Sequence, residues 1–189
     1  MRHLHGTAIA MIIRHICSNV EFISVNILDE NLSTDGRILT YALSQVLDYQ
    51  PDIIHMSLGT LKKRYIFTLK RIVKEARKLN ILLVAAAENS GRISYPAYLN
   101  GVIGVKAAFL KNSSEYLYKH GFFYAPIGTE GISCIQKISE IKNAKGTSMA
   151  AAYISGHLAM ILNDSKELSF KEAKETLIRK IKIEERGYE

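Results

Sequence analysis

The sequence predicts an α/β fold in which a doubly wound, mainly parallel sheet carries helices on both faces. Short apolar runs of strand length alternate along the chain with longer amphipathic patterns, which is typical of such sheets. The run at residues 81–87 is continuously apolar, as expected for a strand that is buried on both sides. Because no linker, repeat or low-complexity stretch interrupts the 189 residues, we expect a single domain over residues 1–189.

Each element is predicted from its own hydrophobic pattern. Apolar runs and alternating patterns predict strands at residues 21–28, 53–58, 81–87, 102–107, 122–125 and 132–135. Helical spacing predicts helices at residues 8–18, 37–49, 62–78, 149–162 and 169–181. A capping box between Ser169 and Glu172 marks the start of the last helix, which we expect to lie on the surface. Gly156, inside a helix of small residues, predicts close packing in the core.

Composition and charge narrow the classes of partner. Much of the net charge of +7 lies in residues 62–78, opposite an apolar stripe, and no aromatic residues interleave with it to stack bases. We therefore expect a solvated helix face and no nucleic-acid partner. No apolar run approaches the roughly 18 residues of a membrane span, and no signal peptide is recognised. The predicted location is accordingly cytoplasmic. Cys17 and Cys134 form neither a disulfide framework nor a metal-binding spacing.

Three polar residues lie at predicted strand ends or helix starts. His5 precedes the first helix, Asn89 follows the strand at residues 81–87, and Ser148 opens the helix of small residues. Such positions meet at the carboxyl edge of a doubly wound sheet. A serine becomes a nucleophile when a base takes its proton, and an amide can stabilise the resulting oxyanion. Taken singly, each residue has a commoner explanation as a cap or a turn residue; together they predict an acyl-transfer site.

In this order the motifs resemble those of the subtilisin-like serine proteases, the subtilases. HGT begins at His5, AAAEN ends at Asn89, and GTSMA contains Ser148. HMSLG at residues 55–59 resembles the strand with which the family binds extended peptides. The resemblance implies a subtilisin-like three-layer fold and peptide or protein substrates.

The resemblance also implies a role for each matching residue. His5 would be the general base, and Ser148 the nucleophile. The side chain of Asn89 and the backbone N–H of Ser148 would form the oxyanion hole. Ser57, Leu58 and Gly59 would bind substrate through their backbone.

The sequence also departs from the family pattern. The family's catalytic aspartate lies on an early strand upstream of the histidine, but only residues 1–4 precede His5, so we expect that strand to be missing. Asp29 and Asp35 follow the first helix and lie on the wrong element to replace it. Glu88 stands where the family usually has glycine, and its carboxylate would repel an oxyanion unless it points away.

Three interpretations remain open from the sequence. The first is a serine endopeptidase whose true sequence starts upstream of Met1. The second is a pseudoprotease or peptide-binding fragment without turnover, with a variant in which another chain or segment supplies the aspartate strand. The third is a structural or nucleic-acid role based on the basic helix. We expect no required metal or other cofactor, because no carboxylate cluster resembles a structural calcium loop of the kind that subtilases often contain.

Overall fold

The computed structural model describes residues 4–29, 33–110, 112–165 and 168–186, which form one five-stranded sheet and its covering helices. The strands are β1 (Ile53–Met56), β2 (Leu82–Ala86), β3 (Ile103–Ala108), β4 (Leu117–Lys119) and β5 (Phe122–Pro126). The helices are α1 (His5–Ile16), α2 (Gly36–Val46), α3 (Ile66–Lys78), α4 (Ser133–Gln136), α5 (Thr147–Asp164) and α6 (Phe170–Arg186).

The sheet has the order β1-β2-β3-β5-β4, and only β4 is antiparallel to its neighbour. All five residues of β2 are buried, because helices cover both faces. Leu82 and Val84 belong to the core under α1, α5 and α6, whereas Leu83 and Ala85 belong to the core under α2 and α3. This arrangement confirms the predicted three-layer α/β fold with a mainly parallel sheet.

Helix α5 is the central helix of its layer. Its residues from Met149 to Ile154 are all 0% exposed, so apolar contacts surround it on every side. Helix α1 packs against it at Gly156, where an added Cβ would lie 2.7 Å from the Cβ of Ile16. The close packing predicted at Gly156 is therefore confirmed. It fixes the helix that begins with His5 against the helix that carries Ser148.

Strand β1 forms one end of the sheet. It pairs with β2 in the register Ile53↔Leu82 to Met56↔Ala85, and no other strand pairs with it in the part of the chain that the structure describes. The backbone groups along its outer edge are therefore free to pair with a further strand.

Two of the predicted strands are wrong, and one strand of the structure, β4, was not predicted. Residues 21–28 are not a strand, because no strand within the described ranges pairs with them, and Phe22, Ile23 and Val25 are exposed. Residues 132–135, expected to be a strand, comprise the residue before α4 and the first three residues of this helix. Ile132 and Ile135 are both buried, which is the spacing of a helix face.

The unpredicted strand β4 arises from a tight hairpin. His120 and Gly121 connect it to β5, and both have positive φ, at 50° and 83°. Positive φ at both central residues is typical of the two-residue turn that favours antiparallel pairing. The antiparallel edge strand is thus specified by a His-Gly turn instead of the commoner Asn-Gly.

Candidate active site

Ser148 lies in the first turn of α5. The residue before this helix, Gly146, has φ 135° and ψ 177°, and its N–H donates to the carbonyl of Ile127 at 2.8 Å. Residues with a side chain rarely adopt this φ, so only a glycine readily allows the sharp turn into the helix. The Ser148 hydroxyl is partly buried and donates to the carbonyl of Ser57 at 3.2 Å. The hydroxyl therefore lies beside the end of β1 and at the start of α5, where the backbone N–H of Ser148 has no hydrogen-bond partner among the described residues.

Asn89 caps α5 from the end of β2. Its Oδ1 accepts hydrogen bonds from the backbone N–H of Thr147 at 3.0 Å and from the Thr147 hydroxyl at 3.2 Å. Because an N–H can only donate, the amide oxygen must face the helix, which leaves the Nδ2 group directed elsewhere. Among the described residues, Nδ2 has no hydrogen-bond partner. The same side chain thus closes the helix start and keeps a donor available.

The carboxylate of Glu88 is held within the turn that follows β2. It accepts from the Ser90 N–H at 2.9 Å, from the Ser90 hydroxyl at 2.6 Å and from the Arg92 guanidinium at 3.0 Å. Hydrogen bonds from Arg92 and then Ser90 lower the pKa of Glu88 to about 2. Its charge is balanced inside the turn, so the repulsion considered from the sequence is offset by Arg92.

Ser57, Leu58 and Gly59 continue β1 beyond its pairing with β2. Thr60 and Tyr95 then form an antiparallel bridge, with N–H to carbonyl distances of 2.8 and 2.9 Å. Leu58 is partly buried and Gly59 is exposed. Within the described ranges, the backbone groups of these two residues make no hydrogen bond. Such a segment can pair with an extended peptide laid beside it.

His5 is the first residue of α1. Its side chain is partly buried, and this burial lowers its pKa from the usual 6.5. Among the residues that the structure describes, no hydrogen bond joins His5 to Ser148, and no carboxylate bonds to His5. Asp35 instead caps α2, accepting from the Arg37 N–H at 2.7 Å and from the Tyr65 hydroxyl at 3.1 Å. It is a structural residue.

His55 and Ser155 are site residues that sequence reasoning missed. The His55 Nε2 lies 2.6 Å from the Ser57 hydroxyl, and its Nδ1 lies 2.9 Å from the Ser155 hydroxyl. Burial, and then the charge of nearby His5, lower the pKa of His55 to about 4. One signal was present in the sequence: His55 and Ser57 are two residues apart on a predicted strand, so their side chains lie on the same face. The signal for Ser155 was absent, because only the fold brings α5 against β1.

Two kinds of site are absent from the described residues. Within those ranges, no cluster of three or more histidine, cysteine, aspartate or glutamate side chains could hold a metal ion. None of the described helices has the length and apolar character needed to cross a membrane.

Solved structures share this fold. A cold-adapted subtilisin-like serine proteinase superposes with a TM-score of 0.71 at 21% identity, covering 93% of this chain and 67% of the other. The prenylagaramide maturation protease PagA superposes with a TM-score of 0.67 at 23% identity, covering 90% of this chain and 69% of the other.

Curated sequences are also similar. The major intracellular serine protease of Bacillus subtilis is 32% identical over 146 residues, which is 73% of this chain and 45% of that protein. The thermostable alkaline protease of Halalkalibacterium halodurans is 28% identical over 170 residues, 84% of this chain and 45% of that protein. The chain thus spans less than half the length of these relatives. The model of the subtilase family matches residues 3–188. The chain therefore belongs to the subtilase family.

Proposed function

We propose that the chain is a serine endopeptidase in which Ser148 forms an acyl-enzyme with a peptide substrate. The observation that carries this proposal is the connection between Ser148 and Asn89. Asn89 accepts from the residue that precedes Ser148, so its free amide is held beside the nucleophile. A donor fixed next to a hydroxyl at a helix N-terminus is the arrangement that acyl transfer requires.

The reaction follows from these positions. A peptide pairs with the backbone of residues 57–59 and presents its scissile carbonyl to Ser148. The Ser148 hydroxyl rotates from the Ser57 carbonyl to His5, which takes its proton while the oxygen attacks the carbonyl carbon. Asn89 Nδ2 and the backbone N–H of Ser148 stabilise the oxyanion. His5 then protonates the leaving amine, and water hydrolyses the ester.

A fluorophosphonate probe tests this assignment directly. Ser148 would displace fluoride from phosphorus, and mass spectrometry of the labelled chain would identify the modified serine. We expect labelling at Ser148 that is lost in Ser148→Ala, with circular dichroism showing that both chains fold. Ser133→Ala, at the start of α4, is the matched control and should label like the wild type. A folded wild-type chain that stays unlabelled would contradict the proposal.

A second candidate function is a pseudoprotease that binds peptides without turnover. It is favoured by the Ser148 hydroxyl, which donates to the Ser57 carbonyl, and by the absence of a carboxylate bonded to His5 among the described residues. In that case a peptide would bind along residues 57–59 without being cleaved. Binding of a labelled unstructured peptide, with intact peptide recovered by mass spectrometry, distinguishes this function from the first.

A strand that carries a carboxylate would reconcile the two candidates. The outer edge of β1 is unpaired within the described ranges, and His5 lies near His55 on that strand. A further strand along this edge, from this chain or another, would bring an aspartate to His5. It would stabilise the protonated imidazole and raise its pKa. The catalytic strength of the site then depends on that strand.

The location also belongs to the proposal. One relative is named as an intracellular protease, in keeping with the cytoplasmic location predicted from the sequence. Fractionation of cells that produce the full protein would test it.

A further inference from the structure

His55 joins β1 to α5 through both of its ring nitrogens. Nε2 lies 2.6 Å from the hydroxyl of Ser57, just beyond the end of β1, and Nδ1 lies 2.9 Å from the hydroxyl of Ser155, on α5. Ser155 lies about two turns beyond Ser148, and an interval of two turns returns to the same face of a helix. The ring thus contacts the face of α5 that also carries the candidate nucleophile.

The two connections between β1 and α5 form a closed arrangement. One runs from Ser155 through the His55 ring to the side chain of Ser57. The other runs from the backbone carbonyl of Ser57 to the hydroxyl of Ser148 at 3.2 Å. Because both connections include Ser57, the position of its carbonyl relative to Ser148 depends on the His55 ring.

The chemistry of the ring suits a fixed spacer. A neutral imidazole offers one donor and one acceptor, and a serine hydroxyl can complement either. Burial lowers the pKa of His55 to about 4, so the ring is neutral at physiological pH and both of its nitrogens have partners. The same low pKa makes the ring a weak base. His55 is therefore too weak a base to activate Ser57 or Ser155 as a second nucleophile.

We propose that His55 is a positioning residue that holds the end of β1 against α5 and so sets the Ser57 carbonyl beside the Ser148 hydroxyl. The catalytic part of this inference rests on the proposed function. The Ser57 carbonyl also belongs to the segment that would pair with substrate, so the ring sets the register of a bound peptide relative to the nucleophile. Loss of the ring should lower the rate of acylation more than it weakens initial binding.

Amide substitutions separate the two bonds of the ring. The side chain of Asn reaches about as far as Nδ1 and that of Gln about as far as Nε2. His55→Gln should therefore keep the bond to Ser57, His55→Asn should keep the bond to Ser155, and His55→Leu loses both. We expect labelling rates within about threefold of wild type for Gln, about tenfold lower for Asn, and lower still for Leu. The loss should appear in the limiting rate and not in the concentration of probe at half-maximal rate.

His15 provides the matched control. It is an exposed histidine of α1 that also bonds a serine hydroxyl, that of Ser113 at 3.2 Å, but outside the site. His15→Leu should label at the wild-type rate. If His55→Leu fails to fold, the comparison of Gln with Asn decides alone. Equal rates for Gln, Asn and wild type would overturn the inference, as would a labelled peptide that contains Ser57 instead of Ser148.

A second measurement does not depend on turnover. In nuclear magnetic resonance spectra, His55→Asn should shift the backbone amide signals of Leu58 and Ser148, whereas Ser155→Ala should change the nitrogen signals of the His55 ring. Amide signals of Leu58 and Ser148 that stay in place would overturn the positioning role. If the wild-type chain is not labelled at all, the proposed function fails, while these spectra still test whether His55 positions the cleft.

Discussion

The two sides of the candidate site, one around Ser148 and the other around His5, differ in how firmly hydrogen bonds hold them. We call them the nucleophile side and the histidine side. On the nucleophile side, Asn89 accepts hydrogen bonds from Thr147 at the start of α5, and the Ser148 hydroxyl donates to the Ser57 carbonyl. On the histidine side, α1 begins at His5 with no side-chain cap at Leu4, and no carboxylate is bonded to the imidazole within the described ranges. The side chains of the first side are thus held by hydrogen bonds, whereas the proposed general base of the second has no carboxylate partner among the described residues.

The difference follows from what supports each side. The nucleophile side rests on β2 and on α5, which are surrounded by apolar contacts. On the histidine side, α1 packs against α5 at Gly156, but the edge of β1 near His5 is unpaired within the described ranges. The proposed oxyanion donor Asn89 is thus held by hydrogen bonds, whereas the proposed general base His5 is not hydrogen-bonded to Ser148. The predictions below either complete the weaker side or disrupt the stronger one.

The largest expected effect comes from supplying a carboxylate to His5. Extending the chain at its N-terminus by a β-branched strand that ends in aspartate, joined through a flexible linker, should allow pairing along β1. Loss of a triad aspartate alone costs about 3 × 10⁴ in rate, so labelling of Ser148 should accelerate by up to about that factor. The same extension with asparagine in place of aspartate is the control. Equal labelling rates with the two extensions would show that the edge of β1 is not where the carboxylate acts.

Substitution of Asn89 should disrupt the stronger side. Asn89→Ala removes an oxyanion donor, which costs roughly 10²–10³ in rate, and also a helix cap, which costs about 1 kcal/mol of unfolding free energy. Asn89→Asp keeps an acceptor for the Thr147 N–H, but it loses the donor and adds a negative charge beside the oxyanion. Urea unfolding should therefore distinguish the two variants, while labelling rates fall in both. An Asp variant as reactive as the wild type would contradict the donor role of Nδ2.

The contact between α1 and α5 can be disrupted at Gly156. In Gly156→Ala the added Cβ would lie 2.7 Å from the Cβ of Ile16, so the helices must separate, at a cost of about 1–3 kcal/mol. Gly6→Ala is the comparison for stability, because nothing lies within 4 Å of the Cβ there and alanine favours the helix. Urea midpoints should fall for the first variant and not for the second. A Gly156→Ala midpoint equal to that of the wild type would mean that the helices adjust without cost.

The smallest expected effect is a loss of stability that is absent at neutral pH and develops as the pH is lowered. Burial lowers the pKa of both His55 and His157 to about 4, below the 6.5 expected in the unfolded chain. The unfolded state therefore binds more protons below about pH 6.5, and stability should fall from there down to about pH 4. His157→Phe, which also removes a buried Nε2 without a partner, should reduce this slope. Urea midpoints between pH 8 and pH 4 measure it; a flat profile would be the contrary result.

The sequence predicts most of the fold because its signals are local. The apolar run of β2 and the small residues of α5 determine which elements form, and the glycine at position 146 specifies how α5 starts. Residues 21–28 carry an equally clear strand pattern, yet a strand requires a neighbour to pair with, which no local pattern supplies. His55 was missed for a related reason: its partner Ser155 lies a hundred residues away along the chain and meets it only in the folded protein.

The Asn89 cap has a consequence for the timing of reactivity. Asn89 turns its oxygen to Thr147, and so directs its amide outward, only when the start of α5 is formed and docked against the end of β2. A chain that is still being synthesised, or one in which α5 has locally opened, lacks the hydrogen bonds that hold the Asn89 amide in place. Under the proposed function, reactivity would therefore appear only after α5 has docked against the end of β2.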